Sequence, residues 1–128
     1  MMAGAAILDR ELSPAGFTFQ LTRPGHGSGG DFVIGRFTRD DQYLEFHFRH
    51  SLGLVTYGWG DDALPHADYL AGLGVTGAYP GYGTDPVDGF RHLARDLAGP
   101  LSGFRAGDRG GYERGLQAAR RPRKRSLP

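Results

Sequence analysis

The chain has 128 residues, 39% hydrophobic and 12% aromatic, enough for one domain whose core buries roughly two-thirds of the unfolded surface and too few for a second. It has no cysteine, which excludes disulfides and thiolate zinc sites and suits a reducing compartment. The net charge of +1 hides a division: residues 1–113 carry 14 acids against nine Arg, a net of −5, whereas residues 114–128 carry five Arg and Lys124, a net of +6. Fourteen of the 15 basic residues are Arg, a bias that a GC-rich coding sequence would produce, so an Arg alone does not argue for anion recognition.

Ala3–Leu8 is a short apolar run with no basic residue before it and with Asp9 and Glu11 after it, unlike a secretory signal. No stretch approaches the ~18 apolar residues of a membrane helix, and the expectation is a soluble, cytoplasmic protein. Residues 1–14 can start a loose helical turn that Pro14 ends. Phe17, Phe19 and Leu21 alternate with Thr18, Gln20 and Thr22, the period of a first strand. RPGHGSGG (23–30) is a glycine-rich loop, and strands are expected over 31–38, 42–49 and 53–59, linked by TRDDQ (38–42) and HSLG (50–53). In the middle strand Leu44, Phe46 and Phe48 face one way and Tyr43, Glu45, His47 and Arg49 the other. In the last, Val55, Tyr57 and Trp59 oppose Leu54 and Thr56, which suits an interior position.

Asp61, Asp62 and Pro65 lead into a predicted helix over 65–73, with His66, Tyr69, Leu70 and Leu73 on its apolar stripe and Gly74 at its end. The loop VTGAYPGYGT (75–84) follows. The strongest helical pattern starts at Asp85, with Val87, Phe90, Leu93, Ala94 and Leu97 on one face and Gly99-Pro100 as its stop. A weaker helix fits 110–120. Strands followed by helices predict an α+β domain over 1–113, an antiparallel meander of about four strands with two or three helices on one face. Residues 114–128 read as a disordered basic tail.

Glu45, His47 and Arg49 share a strand face at spacings of ~6.5–7 Å, so a general base, a general acid and an anion clamp could converge on one ligand. The same alternation describes a solvent-facing ladder in which Glu45 pairs with Arg49 or with cross-strand neighbours. His47 and His50 fall on opposite faces of a strand, and His66 and His92 have no partner at metal spacing, so no metal and no cofactor is expected. PGHGSGG lacks a GK[ST] ending and leads into a strand, unlike a phosphate loop. Ser51 lacks the strand-turn-helix setting of a hydrolase nucleophile. The tail residues Arg120, Arg121, Arg123, Lys124 and Arg125 could make weak polyanion contact, but the acidic body repels a polyanion and no aromatics are interleaved for stacking.

The segments SGGDFVIGRF, YLEFHFRHSLGLVTYGWG, HADYL and YPGY with DPVDGFRHLARDL resemble a group of small, uncharacterised bacterial proteins of the high-GC type. That resemblance implies a single small domain and carries over no catalytic residue. In size and class the chain is also similar to immunity proteins that neutralise polymorphic toxins. The expectation is a non-enzymatic protein-binding domain, possessing Tyr57, Trp59, Tyr79, Tyr82 and His66 as contact residues and suited by its acidic body to a basic toxin. The alternative is a small enzyme or anionic-ligand-binding domain using Glu45, His47 and Arg49.

Overall fold

The computed structural model describes residues 2–21, 25–27, 30–48, 52–74 and 87–120. The expected α+β class is observed. Helix α1 (Met2–Leu12) and a 3-10 turn (Ser13–Ala15) precede β1 (Thr18–Leu21), β2 (Gly25–Gly27), β3 (Gly30–Arg39), β4 (Gln42–Phe48), β5 (Leu52–Trp59) and β6 (Asp62–Pro65). Helices α2 (His66–Gly72), α3 (Asp88–Ala98), α4 (Ser102–Ala106) and α5 (Arg109–Arg120) follow. The sheet is antiparallel in the order β1-β3-β4-β5-β6, with the short β2 pairing the start of β3.

Two of the hairpins are as tight as a hairpin can be. Arg39 pairs with Gln42 across Asp40-Asp41, and Trp59 pairs with Asp62 across Gly60-Asp61. Asp40 takes φ +53° and Gly60 φ +64°, the left-handed backbone such turns require and that Asp and Gly tolerate. The Gly60 N–H donates to the Asp41 carbonyl at 2.8 Å, which ties the two tips side by side. The sequence expectation ran 61–65 directly into a helix and missed β6, although Gly-Asp between Trp59 and Leu64 is a recognised hairpin signal.

Alternation then sorts the sheet into two faces. Phe37, Leu44, Tyr57 and Leu64 lie directly across from one another and are fully buried under the helices. Phe46 meets Phe90 edge to face with centroids 5.2 Å apart, and Phe48 lies 5.8 Å from the same ring, so the apolar side of β4 docks on Phe90 of α3. Where α2, α4 and α5 converge, Tyr57, Tyr69, Phe104, Tyr112 and Trp59 form a second cluster in which Tyr69 stands perpendicular to both Tyr57 and Tyr112 at 5.1 and 5.4 Å. Edge-to-face pairs contribute about 0.5–1.5 kcal/mol each beyond the area they bury.

Helix α1 is longer than the expected turn because Ala5, Leu8 and Leu12 recur at helical spacing and all are buried, packing α1 onto α3. Pro14 lies beyond its end, in the 3-10 turn. At the other terminus the boundary expected after residue 113 falls inside α5: Leu116 is 4% exposed and Gly115 is buried against α2, so the packed chain runs on to residue 120. The Asp85 helix start and residues 121–128 lie outside the described residues.

Candidate functional site

The face of the sheet turned away from the helices is built by the same register. Cross-strand partners share a face, so Gln20, Arg36, Glu45, Thr56 and Pro65 form one outer row and Thr18, Thr38, Tyr43, Gly58 and Ala63 the next. Thr56 therefore accompanies Glu45, and Tyr57 does not.

On this face the side chains hold one another in a fixed order. The Tyr43 ring lies flat on Gly58, where even an added Cβ would stand 1.8 Å from the ring. The Arg36 guanidinium stacks over the same ring at 4.2 Å from its centroid, and its Nε and Nη2 both donate to Glu45 Oε1 at 3.1 and 2.5 Å. Glu45 Oε2 lies 3.8 Å from His47 Nε2. A bulge follows, in which Gly53 and Leu54 together oppose His47. Bulges re-aim side chains at sheet rims, and here Leu54 stands 48% exposed while Ile34, the His47 partner on β3, is half-buried.

The arrangement is worth little as stability. A surface ion pair contributes about 0–1 kcal/mol and an exposed cation–π contact about 0.5–1 kcal/mol, with Arg36 36% and His47 33% exposed. Its effect is to fix a long side chain before any partner arrives, which removes part of the ~0.5–1.5 kcal/mol ordering cost that each flexible side chain otherwise adds to association. Gly58→Ala tests that order directly. It displaces the Tyr43 ring and costs about 1–2 kcal/mol. In a 1H–15N spectrum the Arg36 Nε–H and Tyr43 signals shift while those of Phe46 and Phe90 stay in place.

Glu45 and His47 lie side by side, and Glu45 pairs with a cross-strand neighbour as the ladder reading allows; that neighbour is Arg36, which the sequence reading did not name. The signal was available: a two-residue Asp40-Asp41 turn sets position 36 opposite position 45. Arg49, His50, Ser51, Tyr79 and Tyr82 lie outside the described residues. Tyr57 and Trp59 are corrected as surface contacts, since they are 0% and 7% exposed in the core; alternation places them with Leu44 and Phe46. His66 is also fully buried. It bridges the Tyr57 hydroxyl, 2.8 Å from Nδ1, and Asp96 Oδ2, 3.1 Å from Nε2, while His92 Nε2 lies 3.7 Å from the same oxygen. Although both histidines approach Asp96, no group of three or more His, Asp or Glu among the described residues could hold a metal ion. Arg120 ends α5, and Arg121, Arg123, Lys124 and Arg125 lie outside the described residues.

No helix among the described residues is long and apolar enough to cross a membrane. The chain matches no family model, no curated protein and no solved structure.

Proposed function

We propose that the protein binds another protein through the outer face of its sheet, in the manner of an immunity-type domain that neutralises a toxin, and that its partner is basic. The observation that carries this is the pre-ordered row Tyr43, Arg36, Glu45 and His47, bordered by exposed Leu54 and half-buried Ile34: Tyr and Arg are residue types on which binding energy concentrates. Charge supports the sign of the partner. Asp40, Asp41 and Asp61 are exposed on the two hairpin tips that rim this face, and the body of the chain is acidic.

A small enzyme built on Glu45, His47 and Arg49 has less support. The Glu45 carboxylate is already engaged by Arg36 through two hydrogen bonds to one of its oxygens.

The test is paired capture from the native host with wild type and with two outer-face variants, Arg36→Glu and Leu54→Asp, whose melting curves match wild type. The expected result is a specific basic protein retained by wild type, released about 100-fold more readily by the variants and bound less tightly as salt rises. Capture of the same set of proteins by wild type and variants would overturn the proposal.

A further inference from the structure

The His66 chain has no part in the outer face and lies on the opposite side of the sheet. Asp96 is an acceptor only, so the His66 Nε2 must carry the hydrogen that it accepts. The Nδ1 is then bare and accepts from the Tyr57 hydroxyl. One neutral tautomer therefore satisfies three groups on three elements: Tyr57 on β5, His66 at the start of α2 and Asp96 near the end of α3. The geometry points to an acid-released latch: the Tyr57–His66–Asp96 chain closes α2 and the end of α3 onto the sheet at neutral pH and lets go when the surroundings acidify.

A second proton on the imidazole would sit on Nδ1, facing the hydrogen of the Tyr57 hydroxyl, which must then turn away. It would also put a charge on a fully buried ring stacked at 5.6 Å on Tyr57, whose own ring is packed edge to face by Tyr69 and Phe104. Among the described residues the titratable groups facing His66 are Tyr57 of β5, Asp96 and His92 of α3 and, against the Tyr57 ring, Tyr69 of α2; β6 brings Leu64 and Pro65, and its Asp62 is held by Arg109. Desolvation by burial pushes the His66 pKa below its ordinary value, and the nearby His92 adds to this, against the opposing pull of Asp96. A depressed histidine pKa fixes the sign: above the unfolded value the latch contributes its full stability, and this is lost as pH falls below it, because the unfolded chain accepts a proton that the folded one resists.

The latch is local because α3 is held at two places. Its first half is anchored by Phe90 against Phe46 and Phe48, which no proton reaches, and its second half by Leu93 and Leu97 in the core and by Asp96 on His66, of which the last responds to a proton. Acid should therefore loosen the second half of α3 and the start of α2 before the sheet.

Hydrogen exchange over a series of pH values from 7.5 down to 5.0, corrected for intrinsic rates, decides the matter. In wild type, amide protection in α2 and the second half of α3 should fall several-fold more than in β4, because the opened state takes up the proton that the closed one resists. His66→Gln, which cannot take the proton, should abolish the difference, and His92→Gln should retain it. Tyr57→Phe removes the hydroxyl that favours the neutral ring and should move the loosening to higher pH, a change that loss of packing alone would not make. The latch is overturned if wild type shows no excess loss, if His66→Gln keeps it, if His92→Gln removes it, or if Tyr57→Phe leaves its midpoint unmoved.

Discussion

Arg39→Met is expected to lower the stability of this protein by about 3–4 kcal/mol and its melting temperature by about 10–15 °C. Arg39 closes β3 and reaches across to two other segments. Its Nη1 donates to the carbonyls of Ala15, at the end of the 3-10 turn, and of Arg105 in α4, at 2.6 and 2.8 Å, and its Nη2 donates to Gln42 Oε1. Gln42 is itself buried and passes the link on, donating from Nε2 to the Phe104 carbonyl at 2.7 Å. The guanidinium also lies over the Phe17 ring at 4.4 Å. Methionine keeps the stem and its apolar contact but strands three acceptors in part-buried positions, at about 1 kcal/mol each. Arg39→Lys should recover about a third of the loss, since one ammonium cannot reproduce a planar fork aimed at three oxygens. Thermal or urea melts of the two variants check both statements.

Gly72→Ala is expected to destabilise by about 2–3 kcal/mol, although alanine is the better helix former by about 1 kcal/mol. Helices α2 and α5 cross where glycine meets glycine. A Cβ on Gly72 would stand 2.3 Å from the Gly115 Cα and 2.4 Å from its N, and a Cβ on Gly115 would stand 2.6 Å from the Leu64 side chain and 3.2 Å from the Tyr69 Cα. The atoms in the way of Gly72 are backbone, so no rotamer change relieves the overlap and the helices must part. Tyr69, Leu70, Tyr112 and Leu116 would lose packing together. A lower urea midpoint with an unchanged slope is the expected denaturation result; a midpoint at or above wild type would show that α2 and α5 do not approach this closely.

Both sites show what a sequence can reveal. The meander and the faces of β4 were legible because polar and apolar residues alternate there without interruption, and the Phe90, Leu93, Leu97 helix because its stripe is regular. Arg39 and Gln42 were not legible as a clamp, since their acceptors are carbonyls at positions 15, 104 and 105 and carbonyls leave no trace in residue identity. Helix α1 was underrated because Gly4 and Ala5 begin its packing surface and only Leu8 and Leu12 follow, and α5 because its glycines read as breakers when they are the point of contact. At the candidate site the row Glu45–His47 could be read from one strand, whereas Arg36 required the exact length of a turn. Tyr57 and Trp59 were assigned to the surface on residue type, and alternation with Leu44 and Phe46 overrules residue type.

The separation of the two sheet faces has a consequence for how such a chain can change. Tyr43, Arg36, Glu45 and His47 pack on one another and on Gly58, while Phe37, Leu44, Phe46 and Tyr57 pack on the helices. Groups that share no partner contribute additively, so replacements on the outer rows and in the core draw on separate reserves. Outer residues can be exchanged one after another without spending the stability that Arg39, Gly72 and the aromatic cluster provide.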